Sequence, residues 1–148
     1  MTQHVDIIGQ IRINATESIV VSISSWNSEY GLDIRKHIDT ATYSGPTRQG
    51  VRIHKKGLNK LLKCLFEWTE GGLDTKKSIL GVIPKSSDID VIIQVTAFSG
   101  TKKLDIRERI GSGQENFFTK KGVSIPLAKT IELNKVLVEA QWAFENNY

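Results

Sequence analysis

Asp33-Ile34-Arg35 and Asp105-Ile106-Arg107 place an acid two residues before an arginine, twice in a chain of 148 residues. In an extended strand, residues i and i+2 share a face. Each carboxylate can therefore grip its guanidinium in a two-point fork and limit the arginine's freedom. An aromatic, Trp26 or Phe98, stands seven residues ahead of each aspartate. Arg12, Arg48 and Arg52 accompany the first set; Lys102, Lys103, Lys120 and Lys121 accompany the second. Rings among cations on an open face suit unpaired nucleic acid. Exposed bases stack on the rings, worth about 1–3 kcal/mol per base, while the cations follow the phosphates.

Other chemistries fit less well. His4, His37 and His54 have no His or Cys partners at metal-ligand spacing. Cys64 stands between Leu61 and Leu65 and reads as a small buried residue rather than a nucleophile. Gly111-Ser112-Gly113 reads as a hairpin turn, because no Gly-Lys-Ser/Thr follows to make a phosphate loop. Asp88-Ile89-Asp90 reads as a strand entry. No Ser-His-Asp or Cys-His set recurs, so neither catalysis, a metal nor a cofactor is expected.

The recurrence extends beyond one motif. Shifting the chain by 72 residues aligns its halves without a gap, with 13 identities in the 50 positions of 19–68 against 91–140. "LDIRKHI" meets "LDIRERI", and "TRQGVRI" meets "TKKGVSI". Internal repetition of this kind means two copies of one structural unit, here 1–72 and 73–148, joined near "EGGLDTKKS" at 70–78. The first half holds 9 basic and 7 acidic residues and the second 11 and 9, so each is +2. A net charge of +4 permits an anionic partner without demanding one. The single cysteine excludes an internal disulfide framework. Without an apolar run of membrane-spanning length or a secretory signal, an intracellular soluble protein is expected. It would be nuclear in a eukaryote, or cytoplasmic or nucleoid-associated in a bacterial or phage setting.

The elements that must position these residues follow from periodicity. Short stretches rich in Ile and Val at 7–13, 19–26, 30–38 and 48–54 are bounded by Asn, Ser, Gly and Pro and predict strands. The second half predicts strands near 79–83, 90–98, 102–110 and 120–125. "WNSEYG" at 26–31 predicts a hairpin, and 40–47 a longer loop. Leu58, Leu61, Leu62 and Leu65 then take helical spacing, as do Leu133, Val136, Leu137, Ala140 and Phe144 near 127–144. Trp68 and Trp142, near the helix ends, are expected between the helices. Each unit is thus ββββα in an α+β fold, with its helix on one face of a curved antiparallel sheet. Alternation assigns Ile19, Val21, Ile23, Leu32, Ile34, Ile38, Val51 and Ile53 to the helix side. It leaves Ser22, Ser24, Trp26, Asp33, Arg35, His37, Arg48, Arg52 and His54 on the other. Gln94, Thr96, Phe98, Asp105, Arg107, Arg109, Lys120 and Ser124 form the matching set.

In this order and spacing, each half resembles the single-stranded-DNA-binding domain of the positive cofactor four family, transcriptional coactivators with bacterial and phage relatives. The matching residues are "IIGQIRI", Trp26 seven residues before "DIR", "RQGVRI" and the leucine helix, then Phe98, "DIR" and "KKGVSI". The resemblance implies dimers formed through the helices, with two curved sheets binding strands of opposite polarity. It assigns stacking to Trp26 and Phe98, and phosphate contacts to Arg12, Arg35, Arg48, Arg107, Lys120 and Lys121. Two departures stand out. The family's aromatic three residues after the arginine is Ile38 or Ile110 here, and its opening lysine is Gln10 or Val82.

With two copies in one chain, the family's dimer can form internally as a pseudo-dimer, and further homodimerisation stays open. The expected partner is single-stranded or unwound DNA, in transcription, replication or recombination. RNA is one alternative. The other is a protein-interaction module that docks on transcription or replication proteins without nucleic acid. On their own, Trp26 and Phe98 read equally as core aromatics, and the Asp–Arg sets as surface ion pairs worth about 0–1 kcal/mol.

Overall fold

β-Branched runs separated by tight turns build two successive four-stranded sheets. The structure, a computed structural model of the chain, describes residues 5–76, 78–111 and 117–148, apart from the side chains of Trp26 and Phe98. Strands β1 (Val5–Arg12), β2 (Glu17–Trp26), β3 (Glu29–Asp39) and β4 (Ser44–His54) precede helix α1 (Lys55–Glu70). Strands β5 (Ile79–Pro84), β6 (Ile89–Phe98), β7 (Thr101–Ile110) and β8 (Phe117–Pro126) follow. A 3-10 turn (Leu127–Lys129) then leads into α2 (Thr130–Asn147). Each sheet is an antiparallel meander in chain order. The ββββα reading of each half therefore holds.

Turn chemistry accounts for the central hairpins. Asn27 and Ser28 join β2 to β3, and Ser99 and Gly100 join β6 to β7, with all four at positive φ. Two successive left-handed residues match the right-handed twist of the flanking strands. β4 and β8 begin at 44 and 117, earlier than the 48 and 120 that Gly45-Pro46 and its counterpart region suggest. Pro46 is tolerated because β4 is an edge strand, where a missing N–H breaks no inner ladder. The Gly111–Gly113 turn expected from sequence lies largely outside the described residues.

A bulge in the first strand of each half changes which residues face outward. Ile7 pairs with Ser22 but Gly9 pairs with Val21, so β1 carries an extra residue at Ile8. β5 repeats this between Ile79 and Gly81. Val5 and Ile7 before the bulge, and Gln10 and Arg12 after it, therefore share the face away from the helices, whereas Gly9 and Ile11 turn to the core.

The helices close a single core drawn from both halves. Ile11, Val21, Ile34, Leu61 and Leu65 are buried in one cluster with Ile83, Ile93, Ile106, Leu133, Leu137 and Phe144. α1 packs on α2, α1 also covers β5, and α2 covers β1 and β2. The approach is close. A Cβ at Gly9 would stand 2.7 Å from Cγ1 of Val136, and one at Gly81 would stand 3.0 Å from Sγ of Cys64. Both glycines admit the other half's helix. Gly9→Ala is expected to cost about 1–3 kcal/mol by overpacking. Val136→Ala in the same chain should recover much of that cost. A double-mutant cycle in urea reads the coupling, and simply additive costs would refute it.

Several side chains take unexpected posts. His54 caps α1, its Nδ1 accepting from the Gly57 N–H at 3.1 Å, with Nε2 3.3 Å from the carbonyl of Pro84. Capping consumes the ring that alternation assigned to the open face. Trp68 is buried and donates from Nε1 to the Asp74 carbonyl at 2.8 Å, but Trp142 is 60% exposed on the outer side of α2. No helix among the described residues is long and apolar enough to cross a membrane.

Candidate nucleic-acid interface

The two sheet faces away from the helices carry one device, built identically. Arg35 donates from Nε to Asp33 Oδ2 at 3.0 Å, from Nη2 to Oδ1 at 3.0 Å and from Nη1 to the Thr47 carbonyl at 2.9 Å. Arg107 does the same to Asp105 at 3.1 and 3.0 Å and to the Thr119 carbonyl at 3.0 Å. Three of five guanidinium N–H groups are thus spent internally, and two remain to donate outward. Close backbone makes room for the fork: a Cβ at Gly50 would collide with the guanidinium of Arg35.

The threonine carbonyls reach these arginines because β4 and β8 bulge. The register shifts between Arg35 and His37, and between Arg107 and Arg109. Thr47 Oγ1 stitches the first bulge, donating to the Lys36 carbonyl at 2.8 Å and accepting from the Gln49 N–H at 3.1 Å. Thr119 Oγ1 accepts from the Lys121 N–H at 3.0 Å. "DIR" and "T-x-x-G" are therefore two parts of one structure, which is why both recur. Arg48 and Gln49, like Lys120 and Lys121, stand exposed on these bulges.

The remaining sequence-predicted residues divide. Arg12 is exposed on the first face, with Nη2 3.0 Å from the Ala15 carbonyl. Its counterpart 72 residues on is Pro84, so that position carries no cation in the second half. Arg52 leans away from Asp33 to Ser24, bonding its hydroxyl and, at 2.8 Å, its carbonyl. Lys103 is exposed on the second face, in register between Thr96 and Pro126. Lys102 is not there: it alternates to the helix side and donates from Nζ to Thr75 Oγ1 at 3.1 Å. The side chains of Trp26 and Phe98 lie outside the described residues, although both end their strands at the hairpins.

Sequence reasoning missed several apolar members. Val5 and Ile7 are 52% and 69% exposed and rim a groove of about 470 Å³ floored by Ser22, Asp33, Arg35 and His37. The bulge at Ile8 put them there, and no local signal announces a bulge. Phe118 lies opposite Arg109 and Phe117 opposite Ile110, at 49% and 69% exposure. Adjacent aromatics ahead of "TKKG" were a usable signal, obscured by reading the segment as loop. A second groove of about 420 Å³ touches Thr96, Thr101, Lys103 and Ser124.

Burial holds the His37 imidazole below its ordinary value of 6.5; Asp33 opposes this and Arg35 reinforces it. The unfolded chain therefore takes up this proton at a higher pH than the folded one. The contribution to stability is whole above 6.5 and is lost as pH falls from there through the folded value. His37→Gln should flatten the acid side of the urea-midpoint profile. An unchanged profile would remove His37 from the account.

Among the described residues no cluster of His, Cys, Asp and Glu is placed to hold a metal ion. No family model matches the chain, and no curated protein matches it in sequence.

Proposed function

We propose that this chain is a single-stranded-DNA-binding protein of the transcriptional-coactivator type, acting in transcription, replication or recombination without chemistry of its own. The observation that carries this reading is the same Asp–Arg–Thr fork on two open sheet faces, each fringed by exposed cations. Preorganised guanidiniums with two spare N–H groups suit phosphate oxygens, because little side-chain entropy remains to be lost on binding. Unpaired bases can then reach Trp26, Phe98 and the apolar rims, whereas duplex bases keep their faces stacked.

The two halves pair on this reading as an intramolecular pseudo-dimer. Gly9 beneath Val136 and Gly81 beneath Cys64 are counterparts at the repeat spacing, as a twofold exchange of helices requires. One strand could then engage both faces, the second at high effective concentration.

The test is fluorescence anisotropy of a labelled oligonucleotide, single-stranded against duplex, over a salt series. Single-strand preference is expected, with a log-affinity slope of about −0.7 per phosphate neutralised. Ribose competitors decide between DNA and RNA. No binding even at low salt would favour a protein-interaction module instead.

A further inference from the structure

The forks are alike, but the carboxylates inside them are not. A carboxylate offers about four lone-pair sites, and Asp105 fills all of them. Its Oδ1 accepts from Arg107 and, at 2.8 Å, from Ser124 Oγ. Its Oδ2 accepts from Arg107 and, at 3.2 Å, from Gln94 Nε2. The side chain of Asp105 is 4% exposed.

At the positions of Gln94 and Ser124 the first half has Ser22 and Arg52. Ser22 is too short to reach across as glutamine does, and Arg52 has turned to Ser24. Among the described residues Asp33 accepts from Arg35 alone, once on each oxygen. Its side chain is 19% exposed on the floor of the groove rimmed by Val5, Ile7 and Pro46.

We propose that Asp33 reads bases: the first face prefers a base presenting an exocyclic amino group, cytosine over thymine, whereas the second face is indifferent. Asp33 has one acceptor site left on each oxygen, and cytosine N4 is a donor that a carboxylate recognises. Thymine turns a carbonyl oxygen to the same place and would be repelled. The apolar rim shields this contact from water, which strengthens it. The capped Asp105 has nothing left to accept with. This inference rests on the single-strand reading, and its test separates the two.

The experiment compares oligo(dC) with oligo(dT) at neutral pH, using the full chain and the Ser22→Gln variant, whose new side chain would cap Asp33 as Gln94 caps Asp105. The full chain should bind oligo(dC) about tenfold more tightly, the worth of one hydrogen bond to a charged acceptor. Ser22→Gln should bring that ratio close to one. If that variant fails to fold, Gln94→Ala serves instead. It uncaps Asp105 and should raise the ratio above that of the parent chain. Equal binding of both oligomers by the parent overturns base reading by Asp33 and leaves the single-strand reading intact. So does a preference that survives Ser22→Gln, or one that Gln94→Ala does not move. Binding of neither oligomer overturns the single-strand reading itself, and the inference with it.

Discussion

Arg107→Ala is expected to destabilise the chain by about 3–5 kcal/mol, the cost of removing one partner from a buried ion pair. Arg35→Ala should cost less than half as much. Both arginines make the same three hydrogen bonds, so the difference comes from what each leaves behind. Without Arg107, a carboxylate only 4% exposed is left with donors from Gln94 and Ser124 alone. Without Arg35, the carboxylate of Asp33, 19% exposed on the floor of an open groove, can recruit water. The lost bond to the Thr47 or Thr119 carbonyl is common to both variants and cancels in the comparison. Urea midpoints at neutral pH measure both costs. Pairing Arg107→Ala with Asp105→Ala should recover part of the loss, because the stranded charge goes too. Equal costs for the two arginines would mean that burial of the aspartate does not set the energetics of the fork.

The same contrast indicates what sequence can and cannot carry. Repetition at a spacing of 72, the ββββα order and the alternation that buries Ile19, Val21 and Ile23 are all local patterns, and all are found in the structure. Individual forks were legible too, since Asp33 and Arg35 are separated by the period of a strand. Their union with "T-x-x-G" was not, because it depends on a bulge that brings the Thr47 carbonyl to a residue 12 positions away. Lys102 and Lys103 show alternation working against composition. A basic pair reads as one patch, but adjacent strand residues must point to opposite faces, and only Lys103 reaches the open one. The crossing of α1 to β5 and of α2 to β1 was out of reach of any local pattern. Gly9 and Gly81 marked it, yet a glycine does not say which helix it admits.

Loss of both strand-end aromatics should leave the largest mark on binding. Trp26→Ala with Phe98→Ala is expected to weaken single-strand affinity by about 2–6 kcal/mol, at 1–3 kcal/mol for each stacked base. That is roughly 30-fold to more than 10⁴-fold. Affinity alone would not identify stacking, since any damage lowers it; the salt dependence does. Rings release no counterions, so the double variant should give a line parallel to the parent's in a plot of log affinity against log salt, displaced downward. Lys120→Ala with Lys121→Ala removes two exposed cations from the β8 bulge and should behave differently. Its slope should shrink by about 1.4, at 0.7 for each phosphate no longer neutralised, so that its line meets the parent's at high salt. A parallel drop for the rings and a converging line for the lysines would assign stacking and neutralisation to separate side chains. If the aromatic variant converges as well, the rings act through the cations of the open faces, and bases are held in some other way. If it binds like the parent, Trp26 and Phe98 belong to packing, and the apolar contacts of a bound strand must come from Val5, Ile7, Phe117 and Phe118, which are all exposed.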